Sequence, residues 1–577
     1  MGGSLSWPSL LHGPCHARLL SKYAVFQGNR RSDSHRAQQA IDIECQAPYK
    51  ECQLRMKNLM QPGERAFSGA MTRIVTCNHF LPERIALERE ALGSAFVDDP
   101  STVWNLNADS GARNPNILRL TERTGTIVER LHQSLKRGGR LAADEREGYE
   151  NLVYYHLYQR YRSDFQAMTV SAEAPSSVAK CFNAFAGNLR EYLQPARREP
   201  VSGPELAQLF AGFFQLERAF INIFTNIVGS SAPVARLRAA VWESIFTCNL
   251  SRYRRGLFQR MREITTLISG PSGTGKELVA QAIACSGFIP FDPIAQRFAQ
   301  DHCELFRPLN LSALSVNLVE AELFGHKRGA YTGALQDRAG WLEVCPEAGA
   351  VFLDEVGEMD VSLQVKLLRV LQTRTFHRLG ESRPRSFSGK IIAATNRDLV
   401  EEMEAGRFRQ DFYYRLCSDV ITTPSLREQL ADAPHELPRL VVFIARRLVG
   451  DAQGEELAGE VLEVVEKQLS PTYPWPGNFR ELEQCVRNVM VRRCYEPVRL
   501  APGRPAAALV ADMERGQLTA EQVLRRYCSI VYAQTRNIEE TARRLDIDRR
   551  TVKARLEPPV EGGSGRQPCQ RQFACPG

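Results

Sequence analysis

Apolar and polar positions divide the chain into stretches of different character. Between about residues 115 and 225, apolar side chains recur every three or four positions, which is the spacing of an amphipathic helix. Two stretches show this spacing clearly, and their apolar faces hold Tyr154, Leu157, Tyr158, Tyr161, Leu206, Leu209, Phe210, Phe213, Phe220 and Phe224. Such faces are typical of a packed helical core. Lining a ligand pocket is the alternative.

From about residue 226 to 425 the pattern changes to short apolar runs followed by helical segments. The runs are TTLISG, AVFLDE and IIAATN. Strands that alternate with helices predict an α/β domain with a parallel sheet. A helical block containing WPGNFRELEQ follows, and a Pro/Ala-rich stretch separates it from a short basic helical unit near the C-terminus.

The pattern also sets the expected domain boundaries. The first seventy residues are polar and lack periodicity, so we expect them to be disordered or to precede a true translation start at Met71. The predicted order of segments is disordered 1–70, mainly helical 71–225, α/β 226–425, helical 426–497, linker 498–514, basic helical unit 515–556 and unstructured tail 557–577.

Composition narrows the class of protein. Apolar residues make up 43% of the chain and charged residues 24%, which is typical of globular domains. No apolar run reaches the roughly 18 residues of a membrane span, and the N-terminus lacks the apolar core of a signal peptide. The 15 cysteines form no C-x-x-C pair, so we expect reduced thiols in a cytoplasmic protein with no zinc site. The net charge of +8 permits a polyanionic partner without requiring one.

A phosphate-binding loop is predicted directly after the run TTLIS. It consists of Gly270, Pro271, Ser272, Gly273, Thr274, Gly275 and Lys276, and the helical stretch ELVAQAIA follows. This is the G-x-x-x-x-G-K pattern in its strand–loop–helix context. Backbone N–H groups and the helix N-terminus would hold phosphate oxygens, with Lys276 reaching the β- and γ-phosphates. Glu277 stands where most such loops place a hydroxyl for Mg²⁺.

Two carboxylates follow the second apolar strand. Asp354 is expected to hold Mg²⁺, and Glu355 to orient and activate the attacking water. An acidic turn after a core strand is the alternative interpretation. The third strand ends in Thr395 and Asn396, which would reach the same sheet edge. Later, Arg409 and Arg415 are either surface arginines or residues that act on the nucleotide of a neighbouring subunit.

Together these motifs resemble the AAA+ ATPase domain of bacterial enhancer-binding proteins, the activators of sigma-54 RNA polymerase. The resemblance runs from about residue 228 to 493 and continues to the C-terminal unit. It rests on GPSGTGKE, which carries glutamate as in that family, and on ELFGHKRGAYTGA, VFLDEVGEMD and AATNRDL. It implies an α/β AAA+ P-loop ATPase core with an α-helical lid, an all-α N-terminal regulatory region, a C-terminal helix-turn-helix, ATP and Mg²⁺ as cofactors, and a hexameric ring.

The resemblance also implies roles for individual residues. Asn310 would switch the catalytic glutamate, Arg409 and Arg415 would be arginine fingers, and Arg480 would be the second sensor of the lid. The segment that would contact sigma-54 is Gly329, Ala330, Tyr331, Thr332, Gly333 and Ala334, with tyrosine where the family usually has phenylalanine. The stretches SIFTCNLSRYRRGLFQRM and GFIPFDPIAQRFAQDHCELF lengthen the segments on either side of the phosphate loop. Pro271, Leu311 and Cys417 also depart from the family pattern.

The stretch NIEETARRLDIDRRTVKARL predicts a helix-turn-helix. Its expected buried side is Ile538, Ala542, Leu545, Ile547, Val552 and Leu556, and Asp548 is the expected N-cap of the second helix. That helix would present Arg549, Arg550, Thr551, Lys553 and Arg555 to a major groove. The unit resembles the Fis-type DNA-binding domain of the same family. A solvated basic helix is the alternative.

These features predict an ATP-dependent activator that binds upstream DNA and remodels the closed promoter complex of the sigma-54 holoenzyme, with no membrane partner. Two alternatives remain open at this stage. One is an AAA+ activator that does not depend on sigma-54, and the other is an AAA+ protein-remodelling ATPase without promoter specificity. The signal that the N-terminal region senses has no readable pattern.

Overall fold

The computed structural model describes residues 59–98, 114–170, 175–331, 334–497, 509–510, 512–513, 516 and 518–556. The predictions for residues 1–58 and 557–577, for most of the linker, and for Thr332 and Gly333 therefore lie outside the described residues. The chain divides into two compact units, Met1–Arg493 and Cys494–Gly577. None of the helices described is long and apolar enough to cross a bilayer.

The first unit begins with a bundle of six helices: α1 (Pro62–Thr76), α2 (Pro82–Leu92), α3 (Pro115–Lys136), α4 (Ala143–Val170), α5 (Pro175–Leu193) and α6 (Gly203–Asn226). The predicted boundary at residue 70 falls inside α1, so residues 62–70 are helical rather than disordered. Proline at the first position and a capping box between Gln61 and Glu64 start this helix. Phe67 and Met71 lie in the bundle core, which anchors the segment on both sides of the expected boundary.

The apolar faces recognised in the sequence lie in α4 and α6. Leu157 and Phe210 are fully buried, as the packed-core interpretation predicts. Phe213, Phe220 and Phe224 are only half-buried and face a cavity instead. Part of these faces therefore packs in the core, and part lines a cavity.

An α/β domain follows the bundle. Its helices are α7 (Ala232–Phe246), α8 (Leu250–Arg255), α9 (Lys276–Ala284), α10 (Val316–Phe324), α11 (Trp341–Val344), α12 (Val361–Thr373), α13 (Leu399–Glu404) and α14 (Gln410–Leu416). Its strands are β1 (Thr266–Ser269), β2 (Phe291–Asp292), β3 (Arg297–Phe298), β4 (Phe306–Asn310), β5 (Gly325–His326), β6 (Arg338–Ala339), β7 (Ala350–Asp354), β8 (Thr375–Phe376), β9 (Arg385–Ser386), β10 (Lys390–Thr395) and β11 (Asp419–Thr422).

Five of these strands form one parallel sheet in the order β11–β1–β10–β7–β4. Every residue of β10 is buried, as expected for a central strand covered on both faces. The register pairs Ser269 with Thr395 and Asn310 with Asp354, so the polar strand ends lie at one edge of the sheet. The predicted parallel α/β fold is confirmed.

A helical subdomain completes the first unit: α15 (Leu426–Asp432), α16 (Leu437–Val449), α17 (Asp451–Gln468) and α18 (Asn478–Arg492). Ser425 and Glu428 form a capping box at the start of α15. The second unit contains α19 (Ala520–Thr535), α20 (Ile538–Leu545) and α21 (Arg549–Leu556).

The bundle and the α/β domain share a core. The antiparallel pair β2–β3 lies in the stretch that lengthens the segment after the phosphate loop, and it packs into the bundle. The ring of Phe291 lies 4.6 Å from that of Phe182 and 4.9 Å from that of Phe210. The ring of Phe298 lies 4.4 Å from that of Phe214. This stretch therefore joins the two parts of the unit through an aromatic cluster.

A buried cation reinforces the same joint. Arg218 of α6 is 0% exposed, and its Nη2 donates to the carbonyl oxygens of Cys285 at 2.9 Å and Gly287 at 2.6 Å, just beyond the end of α9. Gln215 donates to the carbonyl oxygen of Ser286 at 2.9 Å. Burial lowers the pKa of Arg218 to about 10, which leaves it cationic at neutral pH. The carbonyls at the end of a helix carry partial negative charge, which favours a cation there.

Replacing Arg218 with methionine is expected to lower the free energy of unfolding of the first unit by about 2 kcal/mol, because the half-buried carbonyl of Gly287 loses the guanidinium donor and that of Cys285 keeps only Asn222. The loss should stay below the roughly 3–5 kcal/mol of a broken buried ion pair, since methionine removes a buried charge. Tryptophan fluorescence during urea titration measures the change. Arg190→Met, at an exposed position of α5, is the control. Equal stability of the two variants would contradict this role for Arg218.

Candidate functional site

The phosphate loop connects β1 to α9, and its glycines adopt backbone conformations that other residues avoid. Gly270, Gly273 and Gly275 have φ values of 144°, 79° and 85°. A Cβ atom on Gly270 would lie 2.2 Å from Oγ1 of Thr423, and one on Gly273 would lie 2.4 Å from the carbonyl oxygen of Gly477. Both positions therefore require glycine for conformation and for space.

Lys276 opens α9 and lies across the loop. Its Nζ donates to the carbonyl oxygens of Gly270 at 3.0 Å and Pro271 at 3.1 Å, and the residue is 7% exposed. Burial lowers the pKa of Lys276, while the negative charges of Glu355 and Asp354 act in the opposite direction. The structure thus brings the predicted lysine and the two predicted carboxylates into one electrostatic neighbourhood.

The two carboxylates stand at the end of β7. Glu355 has a φ of 56°, in the left-handed region that costs a non-glycine residue free energy, and its N–H donates to Oδ1 of Asp354 at 3.0 Å. Its Oε2 is buried and has no hydrogen-bond partner among the residues described. A strained backbone and an unpaired buried carboxylate oxygen at one residue are typical of a functional site.

Two predicted asparagines lie at the same edge of the sheet. Asn310 is in register with Asp354, but its Oδ1 accepts hydrogen bonds from the N–H and hydroxyl of Ser312, at 3.0 and 2.8 Å. The carboxamide oxygen of Asn310 is therefore engaged with its own loop. Asn396 is exposed directly after β10. Glu277 is also exposed, in the first turn of α9.

The helical subdomain of α15 to α18, which is the predicted lid, forms hydrogen bonds with the phosphate loop. Arg480 donates from Nη1 to Oγ of Ser272 at 2.9 Å, which places the predicted second sensor at the loop. Asn478 donates from Nδ2 to the carbonyl oxygen of Ser272 at 3.0 Å, and the N–H of Phe479 donates to the carbonyl oxygen of Gly273 at 3.0 Å. The start of α18 is therefore bonded to the loop at three points.

Sequence reasoning missed two residues of this contact. Asn478 has a φ of 53°, which asparagine tolerates better than most residues, and its position after Pro-Gly in WPGNFREL was an available signal. Thr423 places its Oγ1 2.7 Å from Oγ1 of Thr274. Nothing in the sequence distinguishes this threonine from others, because its partner is 149 residues away.

The two candidate arginine fingers lie on α14. Arg409 forms a bidentate ion pair with Asp411, at 3.0 and 2.7 Å. Arg415 is exposed and makes no ion pair within the described part of the chain. No hydrogen bond or ion pair among those residues connects either arginine to the phosphate loop or to the carboxylates of β7. Within the described residues, neither arginine is therefore bonded to the phosphate loop of its own chain.

The predicted contact loop extends from the β5–β6 pair. Gly329 has a φ of 80°, and its N–H donates to the carbonyl oxygen of Ala334 at 2.9 Å, which closes the base of the loop. The N–H of Ala334 donates to the carbonyl oxygen of Tyr331 at 3.0 Å. The ring of Tyr331 packs edge-on against His326, with centroids 5.1 Å apart. Gly329 and Ala334 thus close the base of the loop, and the ring of Tyr331 lies against His326.

The carboxylate of Asp337 accepts hydrogen bonds from the residues at the start of this loop. Asp337 accepts from Nζ of Lys327 at 2.6 Å and from the backbone N–H of Arg328 at 2.9 Å. These hydrogen bonds hold the pKa of Asp337 below its usual range. The N–H of Ala330 donates to the carbonyl oxygen of Lys327 at 3.1 Å, and Ala330 lies against Gly380. The loop therefore has a fixed base on both sides.

The second unit has the predicted helix-turn-helix core. The apolar residues predicted to be buried pack together with Cys528 of α19: Ile538, Ala542, Leu545, Ile547, Val552 and Leu556. Asp548 caps α21 as expected, accepting from the N–H of Arg550 at 2.7 Å and of Thr551 at 3.1 Å.

The five candidate DNA-binding residues differ in what their side chains contact. Thr551 donates its hydroxyl to Asp548 at 2.6 Å, Arg549 pairs with Glu539 at 2.8 Å, and Arg555 pairs with Glu521 of α19 at 3.3 Å. The side chain of Arg555 is only 19% exposed, so it does not lie on the surface as predicted. Two exposed cations, Arg550 and Lys553, make no ion pair in the described part of this unit.

Comparison with known proteins gives one family match and several relatives. Residues 252–422 match the family model of the Sigma-54 interaction domain. The Nif-specific regulatory protein of Enterobacter agglomerans is 43% identical over 235 residues, which cover 40% of this chain and 40% of that protein. The transcriptional regulatory protein ZraR of Klebsiella oxytoca is 38% identical over 300 residues, 51% of this chain and 63% of that protein.

A third relative, the nitrogen fixation protein AnfA of Azotobacter vinelandii, is 35% identical over 343 residues, which cover 58% of this chain and 57% of that protein. The chain thus spans about half the length of the relatives it matches. The matched range holds the phosphate loop, the carboxylates of β7, the loop at 329–334 and the arginines of α14. The sigma-54 interaction domain is an AAA+ ATPase domain, in agreement with the parallel five-stranded sheet. Residues 252–422 are therefore similar to the sigma-54 interaction domain, which is of the AAA+ ATPase class, and the predicted resemblance to the sigma-54-dependent transcriptional activators is confirmed.

Proposed function

We propose that this chain is an ATP-dependent activator of transcription by sigma-54 RNA polymerase. It would bind upstream DNA and use ATP hydrolysis to remodel the closed promoter complex, in the cytoplasm. The observation that carries the proposal is the presence, within the matched domain, of a phosphate loop, a strained glutamate and a glycine-based loop with a half-buried aromatic residue.

The proposed chemistry uses residues of this chain in distinct roles. The backbone of the loop and Lys276 bind the phosphates of ATP. Asp354 would hold Mg²⁺, whose charge neutralises the phosphate oxygens, and its carboxylate fits this because it ends a buried strand beside the loop. Glu355 keeps one carboxylate oxygen free of protein partners, which suits a base that orients water.

Hydrolysis would require a second copy of the chain. Arg415 is exposed and, among the described residues, makes no ion pair and no hydrogen bond to the phosphate loop of its own chain. We therefore assign Arg415, with Arg409, to the nucleotide of the adjacent subunit in a hexameric ring, where an arginine neutralises charge in the transition state.

The contact loop would carry the result of hydrolysis to sigma-54. Tyr331 supplies the aromatic ring at the end of a base fixed by Gly329, Ala334 and Asp337. At the other end of the chain, Arg550 and Lys553 would contact DNA, since they are the candidates whose charges stay unpaired in the described unit.

The role of the loop can be separated from ATP turnover by substitution. Tyr331→Ala is expected to keep ATP turnover but to reduce ATP-dependent open-complex formation on a sigma-54 promoter at least about tenfold, because an interface aromatic is lost. Tyr331→Phe should retain most activity. Lys276→Ala should abolish both reactions. Ile294→Ala, at an exposed apolar position outside the loop, is the control. Unchanged promoter opening by Tyr331→Ala would exclude this role.

Mixing two inactive variants tests whether the arginine acts between subunits. Arg415→Ala should lower ATP turnover by roughly a factor of 10³, and Lys276→Ala should lack turnover. In a mixture, a neighbour with intact Arg415 can serve a site with intact Lys276, so turnover should partly recover. Arg407→Ala, an exposed arginine paired with Glu402, should behave as the parent chain. Failure to recover in co-assembled rings would show that Arg415 does not act in this way.

The DNA contact can be tested with fragments that the full chain selects from genomic DNA. Arg550→Ala or Lys553→Ala should weaken binding in an electrophoretic shift assay by about 1–3 kcal/mol if the residue reads bases. Arg543→Ala, which removes an exposed arginine of α20 paired with Glu540, is the matched control. If the control weakens binding as much as Arg550→Ala does, the contact surface is not α21.

A further inference from the structure

A cavity of about 190 Å³ lies in the helical bundle, between α1, α2, α4, α6 and α8. None of its lining residues belongs to the phosphate loop or to β7. Aromatic side chains dominate its wall: Tyr154, Tyr155, Tyr158, Phe213, Phe220 and Phe224. An engineered apolar cavity of about 150 Å³ accepts benzene, so this volume suits a molecule built on one aromatic ring.

The aromatic wall is fixed by contacts behind it. Tyr158 packs edge-on against Phe213, with centroids 5.7 Å apart, and donates its hydroxyl to Glu217 at 2.6 Å. His79 packs against Phe220 at 5.7 Å, and burial lowers the pKa of His79 to about 4, so the imidazole is neutral. The wall therefore offers ring faces and edges in a preformed arrangement.

The charged residues that line the cavity carry an excess of positive charge. Arg84, Arg162 and Arg254 line it, against a single carboxylate from Glu88. Glu217, the ion-pair partner of Arg162, lies outside the lining. Arg254 is exposed at the rim over the ring of Tyr154, at 4.6 Å, and has no carboxylate partner within the described ranges.

Of these three arginines, Arg84 is buried and has an unpaired N–H group among the residues described. It is 4% exposed and pairs through Nη1 with Glu88, yet its Nε is buried with no hydrogen-bond partner in the part of the chain that is described. A buried guanidinium N–H without an acceptor costs free energy, and a ligand oxygen in the cavity would remove that cost. The unpaired donor and the excess positive charge both select an anionic oxygen.

We propose that this cavity binds a small aromatic carboxylate. Its ring would lie among the tyrosine and phenylalanine side chains, and its carboxylate would accept hydrogen bonds from both Arg84 and Arg254. The site also involves Leu250 and Ser251 of α8, in the stretch that lengthens the segment before the phosphate loop. The occupant would therefore contact both the bundle and the segment that leads into β1.

Binding can be measured on the full chain with benzoate, benzamide and benzylamine as probes, by calorimetry and by tryptophan fluorescence. Trp242 reports on the cavity because its ring packs against Phe220 at 5.0 Å and His79 at 5.2 Å. Benzoate should bind, and benzamide should bind roughly tenfold to a hundredfold more weakly, because a charge-assisted hydrogen bond is lost. Benzylamine should not bind.

Two substitutions locate the bound probe. Leu216→Trp fills the cavity and should abolish benzoate binding. Arg254→Gln, at the exposed rim, should weaken it about tenfold, whereas Arg255→Gln, at the next exposed position outside the lining, should leave it unchanged. The proposal is overturned if neither benzoate nor 1-naphthoate binds at millimolar concentration, if benzylamine binds as well as benzoate, or if the two arginine variants behave alike. The comparison of Arg254→Gln with Arg255→Gln tests the proposal even if Leu216→Trp fails to fold.

Discussion

The contact between the helical bundle and α9, the helix that follows the phosphate loop, depends on the buried guanidinium of Arg218. Burying Arg218 costs free energy that no carboxylate of the described residues offsets, and the compensation comes from carbonyl oxygens just beyond the end of α9. The other end of α9 begins with Lys276 of the phosphate loop. A nine-residue helix is about 14 Å long, so a displacement of α6 must either move this helix as a rod or break these hydrogen bonds.

The two stretches that lengthen the segments on either side of the phosphate loop both take part in the contact between the bundle and the α/β domain. The later one supplies Phe291 and Phe298 to the aromatic core of the bundle. The earlier one supplies α8, which has the aromatic cavity on one side and, through Tyr253, a larger cavity of about 580 Å³ on the other. Tyr253 donates to Gln215 at 2.8 Å, and Gln215 donates to the carbonyl oxygen of Ser286. A hydrogen-bonded path thus runs from α8 to the end of α9.

Sequence alone predicts the parts of this protein whose signals are local. The glycines of the phosphate loop are readable from their spacing because Gly270, Gly273 and Gly275 all need a positive φ, and the apolar runs predict the parallel sheet. The boundary at Met71 was misplaced because the apolar face of α1 is short and lies within a polar stretch. The partners of Arg218 and Arg555 were not predictable, since they lie 67 and 34 residues away and depend on how helices pack. Interactions between distant elements leave no periodic signal.

The two ends of α9 contact different parts of the first unit. Its first turn joins the loop that three residues of the lid also contact, so lid and loop form one bonded unit. Its last turn is held by the bundle. The strained Glu355 lies at the loop end, while the arginines proposed to complete the site come from another chain. A displacement within the bundle would therefore change how this helix, or the segment before β1, is held. In the proposed ring, each nucleotide site would also depend on the neighbouring subunit.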